Sequence, residues 1–385
     1  MSFTGRLQSK LIFLVTVDWF FCSHFLERAV AAREAGYEVL IITNVDRHGD
    51  VIRNAGLRLV HLAISRRSLN PFGALLTLLR IVKIYRKEQP DRIHHVALKP
   101  ILLGGLAVRA AGCHGRMINA MVGGGYAFTS HHLFARMLRP FLIIGLRFLL
   151  NPRGSRVIFE NGDDLNTFAD AGLVRREDSA LIRGAGVDPV RFHPNSNSSG
   201  MHRHPIVVLV ARLLWDKGVG EFVDAARTLR HSGVNARFVI VGEPDAENRG
   251  CIDSVTLQTW RAEGIVELWG FRNDIPQVLT EVTIACLPSY REGLPKSLLE
   301  AMAAGLPCVT TDVPGCREAV RDNDNGLLVP AKNSSALADA IEYLLRNPAV
   351  ARKMGERGRE RLEQEFSSRH INERTLALYR EMLVK

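Results

Sequence analysis

"VTIACLPSYREGLPKSLLEAMAAGLPCVTTD", residues 282–312, decides the fold. "VTIACLPS" reads as a buried strand and "PCVTTD" as the next one. Between them, Pro295 suits the first turn of a helix, where its missing N–H costs nothing, and Gly305 suits the end. A helix over about 295–304 therefore links two strands. Its free N–H groups and positive dipole end point at whatever sits above Gly293 and Leu294, which is an anion site of diphosphate type. Glu292 would repel a phosphate that it faced, so it must face something neutral with protons to donate, such as sugar hydroxyls. Glu300, over one turn along, reaches a second set of hydroxyls. One ligand meets all three demands: a nucleotide sugar, with its diphosphate at the helix mouth, its sugar on Glu292 and its ribose on Glu300.

The same alternation runs outward in both directions. Downstream lies "NGLLVP". Upstream lie "IVVLVAR", "ARFVIVG" and "VELWG" as strands, with "VGEFVDAARTLRHSG" and "TLQTWRAEG" as helices. Before a Ser-, Asn- and Pro-rich linker, "HPNSNSSGMHRHP" (193–205), a first half reads likewise. Its strands are "LIFLVTV", "YEVLIIT", "DRIHHVA", "RMINAMVGGG", "SRVIFEN" and "SALIRGAGVD". Its helices include "FLERAVAAREAG" and "FGALLTLLRIVKIYRKEQ". Alternating strands and helices predict parallel sheets covered on both faces. The class is α/β, with two Rossmann-like doubly wound domains facing across a cleft. We expect the first over 1–192, the second over 205–365, and a C-terminal helix, 366–385, packing back on the first. Ligands of such sheets bind at the carboxyl ends of the strands.

Composition agrees with two folded cores. The 385 residues are 46% hydrophobic and 23% charged. Six cysteines are scattered without Cys-x-x-Cys spacing, which excludes a disulfide frame or a zinc site and predicts reduced thiols. The charge is one-sided. Residues 1–200 carry 26 Lys and Arg against 15 Asp and Glu, an excess of +11, whereas residues 201–385 carry 24 against 25. That split points to an anionic partner for the first half. No nucleic-acid motif accompanies it, and G-x-G-x-x-G spacing is absent.

Directly after the first strand of the second half, "VARLLWDKG" places Arg212 and Lys217 on the cleft side, where two cations can neutralise a diphosphate leaving group. With this, the second half resembles glycosyltransferase family 4, of the GT-B fold. The matching pieces are "VARLLWDKGVGEFVDAA", "FVIVGEP", "VELWGFRNDI", "LPSYREGLPKSLLEAMAAGLPCVTTDVPGCREAV" and "NGLLVP". The resemblance implies donor-diphosphate binding by Arg212 and Lys217, donor-sugar binding by Glu292 and ribose binding by Glu300, the two acids of the family's E-x7-E pair. Leu268 to Gly270, with Trp269, would line the base pocket. Gly242, Gly293, Leu294, Lys296 and Ser297 complete the donor set in this half. The resemblance also implies retention of anomeric configuration, no cofactor and no metal.

The first half is similar to transferases that act on undecaprenyl diphosphate, through "SRRSLNPFGALL", "HHVALKP", "FENGDDLNTFADAGLV" and "LIRGAGVDPVRFHP". Many family members carry a His near the end of the fourth strand. Here that stretch reads "INAMVGGGYAF", and Gly124 with its neighbours lets backbone approach the donor instead. His94 and His95 are the nearest histidines, and we take His95 with Glu292 as the catalytic candidates. Arg66, Arg67, Lys99, Arg136, Arg139 and Arg147 are the candidates for acceptor or lipid. Arginines interleave with Leu, Ile and Phe in "HLFARMLRPFLIIGLRFLLNPRG", and basic residues do so again in "SRRSLNPFGALLTLLRIVKIYRK". Charge and Pro140 argue against a span, so both read as membrane-surface helices.

The expected function is retaining transfer of a sugar from a nucleotide donor, UDP-linked, to an undecaprenyl-diphosphate-linked saccharide. The expected partners are that donor, that acceptor and an anionic membrane surface. The expected place is cytoplasmic, peripheral at the inner face of the plasma membrane. A soluble family 4 transferase with a small acceptor and a nucleotide-sugar epimerase of the same fold are the alternatives.

Overall fold

Apolar runs become the strands of two parallel sheets. The computed structural model describes residues 9–66, 70–113, 116–122, 133–194 and 204–382, and of residues 133–136 and 138 the backbone only. The chain divides into two units, Met1–Ala185 with Ile371–Lys385, and Gly186–His370.

In the first unit the strands are β1 (Lys10–Val17), β2 (Glu38–Asn44), β3 (Arg58–His61), β4 (Arg92–Val96), β5 (Arg116–Met121), β6 (Arg156–Phe159) and β7 (Ser179–Leu181). Their order is β3-β2-β1-β4-β5-β6-β7, all parallel. Leu11, Ile12, Phe13 and Leu14 are all fully buried, as a strand covered on both faces requires. The helix Pro71–Glu88 starts where Asn70 caps it, the side chain accepting from the Phe72 N–H at 3.0 Å.

The helix Leu98–Ala111 is not legible in sequence, because "ILLGGLAV" lacks an amphipathic period. Its glycines are packing residues. A Cβ on Gly104 would sit 2.2 Å from Nε2 of His95. The expected strand over 179–188 is only three residues long, and β5 stops at Met121. Gly123 to Gly125 lie outside the described residues.

The C-terminal helix, Ser368–Glu381, sends Ile371, Leu378 and Tyr379 into the first core. Arg92 donates to the Tyr379 carbonyl at 3.0 Å, Arg116 donates to the Met382 carbonyl, and the Tyr379 hydroxyl meets Nδ1 of His94 at 2.6 Å.

The second sheet holds β8 (Ile206–Val210), β9 (Arg237–Val241), β10 (Glu267–Gly270), β11 (Ile284–Leu287), β12 (Cys308–Thr311) and β13 (Gly326–Val329) in the order β10-β9-β8-β11-β12-β13. The stretch 186–192, expected in the first domain, belongs here. Val187 and Phe192 are buried with Leu362 and Phe366, and the Val187 N–H donates to the Phe366 carbonyl at 3.0 Å. All six cysteines are unpaired, and burial pushes the Cys308 thiol up to about 12.

Candidate active site

The loops after β8, β11 and β12 converge on Glu292. The β8 loop turns at Gly218, whose φ is 70° and where a Cβ would sit 2.0 Å from the Pro288 carbonyl oxygen. Only glycine permits that approach. It brings the Tyr290 N–H to the Asp216 carbonyl at 2.9 Å. Lys217 then reaches Oε1 of Glu292 at 2.6 Å, and Oγ of Ser289 donates to the same oxygen at 2.7 Å. Oε2 takes no hydrogen bond from a described residue, so the carboxylate is held by one oxygen and offers the other.

The support beneath is buried and polar. Ser289, Thr310 and Thr311 are at most 1% exposed. Thr311 donates to the Ser289 carbonyl, and Thr310 to the Leu287 carbonyl at 2.6 Å. The β12 loop completes the clamp. The Glu292 N–H donates to the Pro314 carbonyl at 3.2 Å. Gly315, with φ 81°, lies so close that a Cβ would stand 2.6 Å from the carbonyl oxygens of Glu292 and Gly293.

The helix Lys296–Ala303 follows at once, with Pro295 as its first cap and Leu294 buried beneath. Ser297 is half-buried in its first turn. Lys296 pairs with Glu300 at 3.6 Å. Burial pushes the Glu300 carboxyl up, while Lys296 and Arg191 oppose that shift. Arg212 donates to Asp245 at 2.6 Å, and its side chain stays 40% exposed. Gly242 serves a backbone contact, since a Cβ there would lie 1.8 Å from the Ala211 carbonyl oxygen. With Leu213, Leu268, Arg261 and Gly270 it lines a cavity of about 250 Å³ at the carboxyl ends of β9 and β10. Trp269 stands apart from that cavity. Its Nε1 donates to Glu267 at 3.1 Å, and with Arg272, Val278 and Glu281 it lines a second hollow of about 270 Å³.

The second unit thus gathers Lys217, Glu292, Lys296 and Glu300 around one helix mouth. Sequence reading misses Ser289 and Asp245. The Ser-x-x-Glu spacing was a signal for Ser289; Asp245 carried none.

His95 is corrected. It is fully buried, with Nδ1 on Asn119 Oδ1 at 2.8 Å and Nε2 on the Tyr85 hydroxyl at 3.1 Å. Both ring nitrogens are engaged inside the first unit, so neither is free to meet a substrate. Burial lowers its pKa to about 4, against the opposing Asn119 hydrogen bond. His94 turns to the opposite face of β4, stacked on Phe13.

Lys99 donates to the Ser65 carbonyl at 2.6 Å, and Arg66 lies over the Trp19 ring at 5.5 Å. Arg67 and Gly124 lie outside the described residues, as does the side chain of Arg136. Arg139 is half-buried and Arg147 exposed on the helix Leu133–Leu149. The same helix exposes Met137, Phe141, Ile144 and Phe148, one stripe at helical spacing. The helix Pro71–Glu88 exposes Phe72, Leu75, Leu76 and Leu79.

Two family models match. Glycosyl transferases group 1 covers residues 195–361, and Glycosyl transferase 4-like covers residues 10–161. The N,N'-diacetylbacillosaminyl-diphospho-undecaprenol alpha-1,3-N-acetylgalactosaminyltransferase of Campylobacter jejuni is 31% identical over 359 residues, 91% of this chain and 92% of its own. The UDP-Gal:alpha-D-GlcNAc-diphosphoundecaprenol alpha-1,3-galactosyltransferase of Escherichia coli is 26% identical over 287 residues, 71% of each chain. Among solved structures, HepE of Anabaena in complex with UDP and glucose superposes with a TM-score of 0.78 at 19% identity, over 96% of this chain and 99% of that one. That last likeness shows the fold. The match to the Campylobacter enzyme along nine-tenths of the chain shows the family: this protein belongs to glycosyltransferase family 4 and is a hexosyltransferase of the GT-B fold.

Proposed function

We propose that the enzyme moves a sugar from a UDP-linked donor to a saccharide carried on undecaprenyl diphosphate, with retention and without a metal ion. The observation that carries the donor half is the fixing of one Glu292 oxygen by Lys217 and Ser289 at the mouth of the helix that also bears Glu300. The helix N-terminus and the cations Lys217 and Arg212 stabilise negative charge as the diphosphate leaves, the work that a divalent cation does elsewhere. The free oxygen of Glu292 takes the donor sugar's hydroxyls, and Glu300 takes the ribose. The acceptor hydroxyl enters on the leaving-group face, and a donor phosphate oxygen receives its proton. The acceptor half rests on the relatives, two of which are named for diphospho-undecaprenol substrates.

The first unit supplies a membrane-facing surface for such an acceptor. Among the described residues no helix is long and apolar enough to cross a membrane. The exposed stripe Met137, Phe141, Ile144 and Phe148, beside Arg147, suits a helix lying in the headgroups of an anionic leaflet instead.

The test is a screen of UDP- and GDP-sugars with N-acetylglucosaminyl-diphospho-undecaprenol, in the presence and absence of EDTA, reading glycolipid mass. Transfer from a UDP-sugar, unchanged by EDTA, is expected. Loss of transfer in EDTA overturns the metal-independent reading, and transfer from GDP-sugars alone overturns the UDP reading.

A further inference from the structure

The donor chemistry leaves unused a cluster at the carboxyl ends of β1, β3 and β4 in the first unit. Trp19 follows β1 directly. Its main chain is held by Asp18, which is 1% exposed. Oδ1 of Asp18 accepts the Trp19 N–H at 2.7 Å, and Oδ2 accepts the N–H groups of Asp46 and His48, each at 2.8 Å. One buried carboxylate thus ties the start of the helix Asp18–His24, after β1, to the loop after β2. Arg66, in the loop after β3, lies over the ring at 5.5 Å. Its neighbour Ser65 accepts from Lys99 at 2.6 Å, and Lys99 stands in the first turn of the helix after β4. Three strand ends therefore bring one partly exposed aromatic ring and two cations into a single contiguous group.

The place is the one where such a sheet binds ligands. β1 lies between β2 and β4. The connection from β1 runs to one side of the sheet and that from β4 to the other, which opens a crevice outside their carboxyl ends. The chemistry of the group is mixed. An indole face is apolar and carries the negative side of a quadrupole, which suits the C–H face of a sugar ring. An ammonium and a guanidinium suit a diphosphate.

We propose that Trp19, Arg66 and Lys99 form the acceptor subsite. Trp19 is the platform for the sugar ring joined to the lipid diphosphate, and Arg66 and Lys99 hold the diphosphate. This rests on the lipid-linked acceptor reading above and adds which residues read which part of it.

Two soluble probes separate the parts: N-acetylglucosaminyl-diphospho-farnesol, and farnesyl diphosphate, which lacks the sugar. Calorimetry should find Trp19→Ala about 10-fold weaker for the saccharide probe, the size of one lost aromatic contact. Its affinity for farnesyl diphosphate and for UDP should match wild type. Trp19→Phe, which keeps a ring, should stay within about threefold of wild type. Lys99→Ala should weaken both probes together and leave UDP alone. A Trp19→Ala protein with wild-type UDP affinity that also binds the saccharide probe as wild type does overturns the subsite. So does a Trp19→Ala loss equal for the two probes, since the ring then reads no sugar. Wild-type protein that binds neither probe overturns the lipid-linked acceptor reading itself.

Discussion

Glu292 is held by two donors on one oxygen, and that asymmetry makes distinct predictions for its neighbours. Replacing Glu292 with Gln removes the charge proposed to meet the donor sugar. The expected loss is roughly 10²-fold in kcat with UDP affinity little changed. Parallel turnover and UDP titrations check this, and equal turnover in mutant and wild type contradicts it. Ser289 donates to the carboxylate, so its proposed part is to position Glu292. Ser289→Ala should lower kcat about 10-fold, one hydrogen bond to a charged group, and Ser289→Thr should restore most of it. On the Glu292→Gln background the Ser289→Ala change should cost nothing further, because the oxygen it orients no longer carries the charge. A purely structural Ser289 would lose the same factor on both backgrounds. Arg212→Ala should weaken UDP and leave uridine binding as it was, with calorimetry of both as the measurement. Equal loss for the two would mean that Arg212 serves the fold through Asp245.

At the scale of elements, β4 and the helix Leu133–Leu149 carry opposite lessons. "IHHV" looked like a strand with a reactive histidine, and the strand is there. The reactive histidine is not, because a period-two strand buried on both faces hides both side chains. What the sequence could not show is Gly104, whose missing Cβ makes room for the His95 ring. This burial makes stability pH-dependent with a definite sign. Unfolded His95 takes a proton near its ordinary 6.5, and folded His95 only near 4. Between those values the unfolded chain binds more protons, so stability falls as pH drops through that window, by up to about 3 kcal/mol. His94, also lowered by burial, acts in the same direction. Denaturant melts at pH 7.5, 6 and 5 should show the decline, and a flat profile contradicts it. The Leu133–Leu149 helix was legible as an amphipathic surface element from its own residues. Arg136, Arg139 and Arg147 changed together to Glu should release the protein from anionic vesicles, since each basic residue near such a surface contributes about 1 kcal/mol. Donor hydrolysis in solution should persist. Wild-type protein that stays in the supernatant with anionic vesicles at low salt defeats this reading.

For the whole molecule, the strand and helix alternation was enough for two parallel sheets, since buried parallel strands are continuous apolar runs that need no partner to be read; the family came from the resemblance of the second half's motifs. Short, polar or two-faced pieces were not legible: β3, with the residues Arg58–His61, and the glycine-bearing helix Leu98–Ala111. The E-x7-E pair and the two cations were readable because residue type and spacing carry their chemistry. Asp245 and the Thr310–Thr311 support were not, because only the meeting of segments distant in sequence gives them a partner. The proposed function has this family 4 enzyme use the Glu292 site to glycosylate a diphosphate-linked lipid saccharide. It is tested most directly by mass spectrometry of N-acetylglucosaminyl-diphospho-undecaprenol in anionic vesicles, incubated with UDP-sugars and either wild-type protein or Glu292→Gln. A gain of one hexosyl unit is expected with wild type, and roughly 10²-fold less with the variant. An unmodified glycolipid with every UDP-sugar, or equal product from the two proteins, contradicts it.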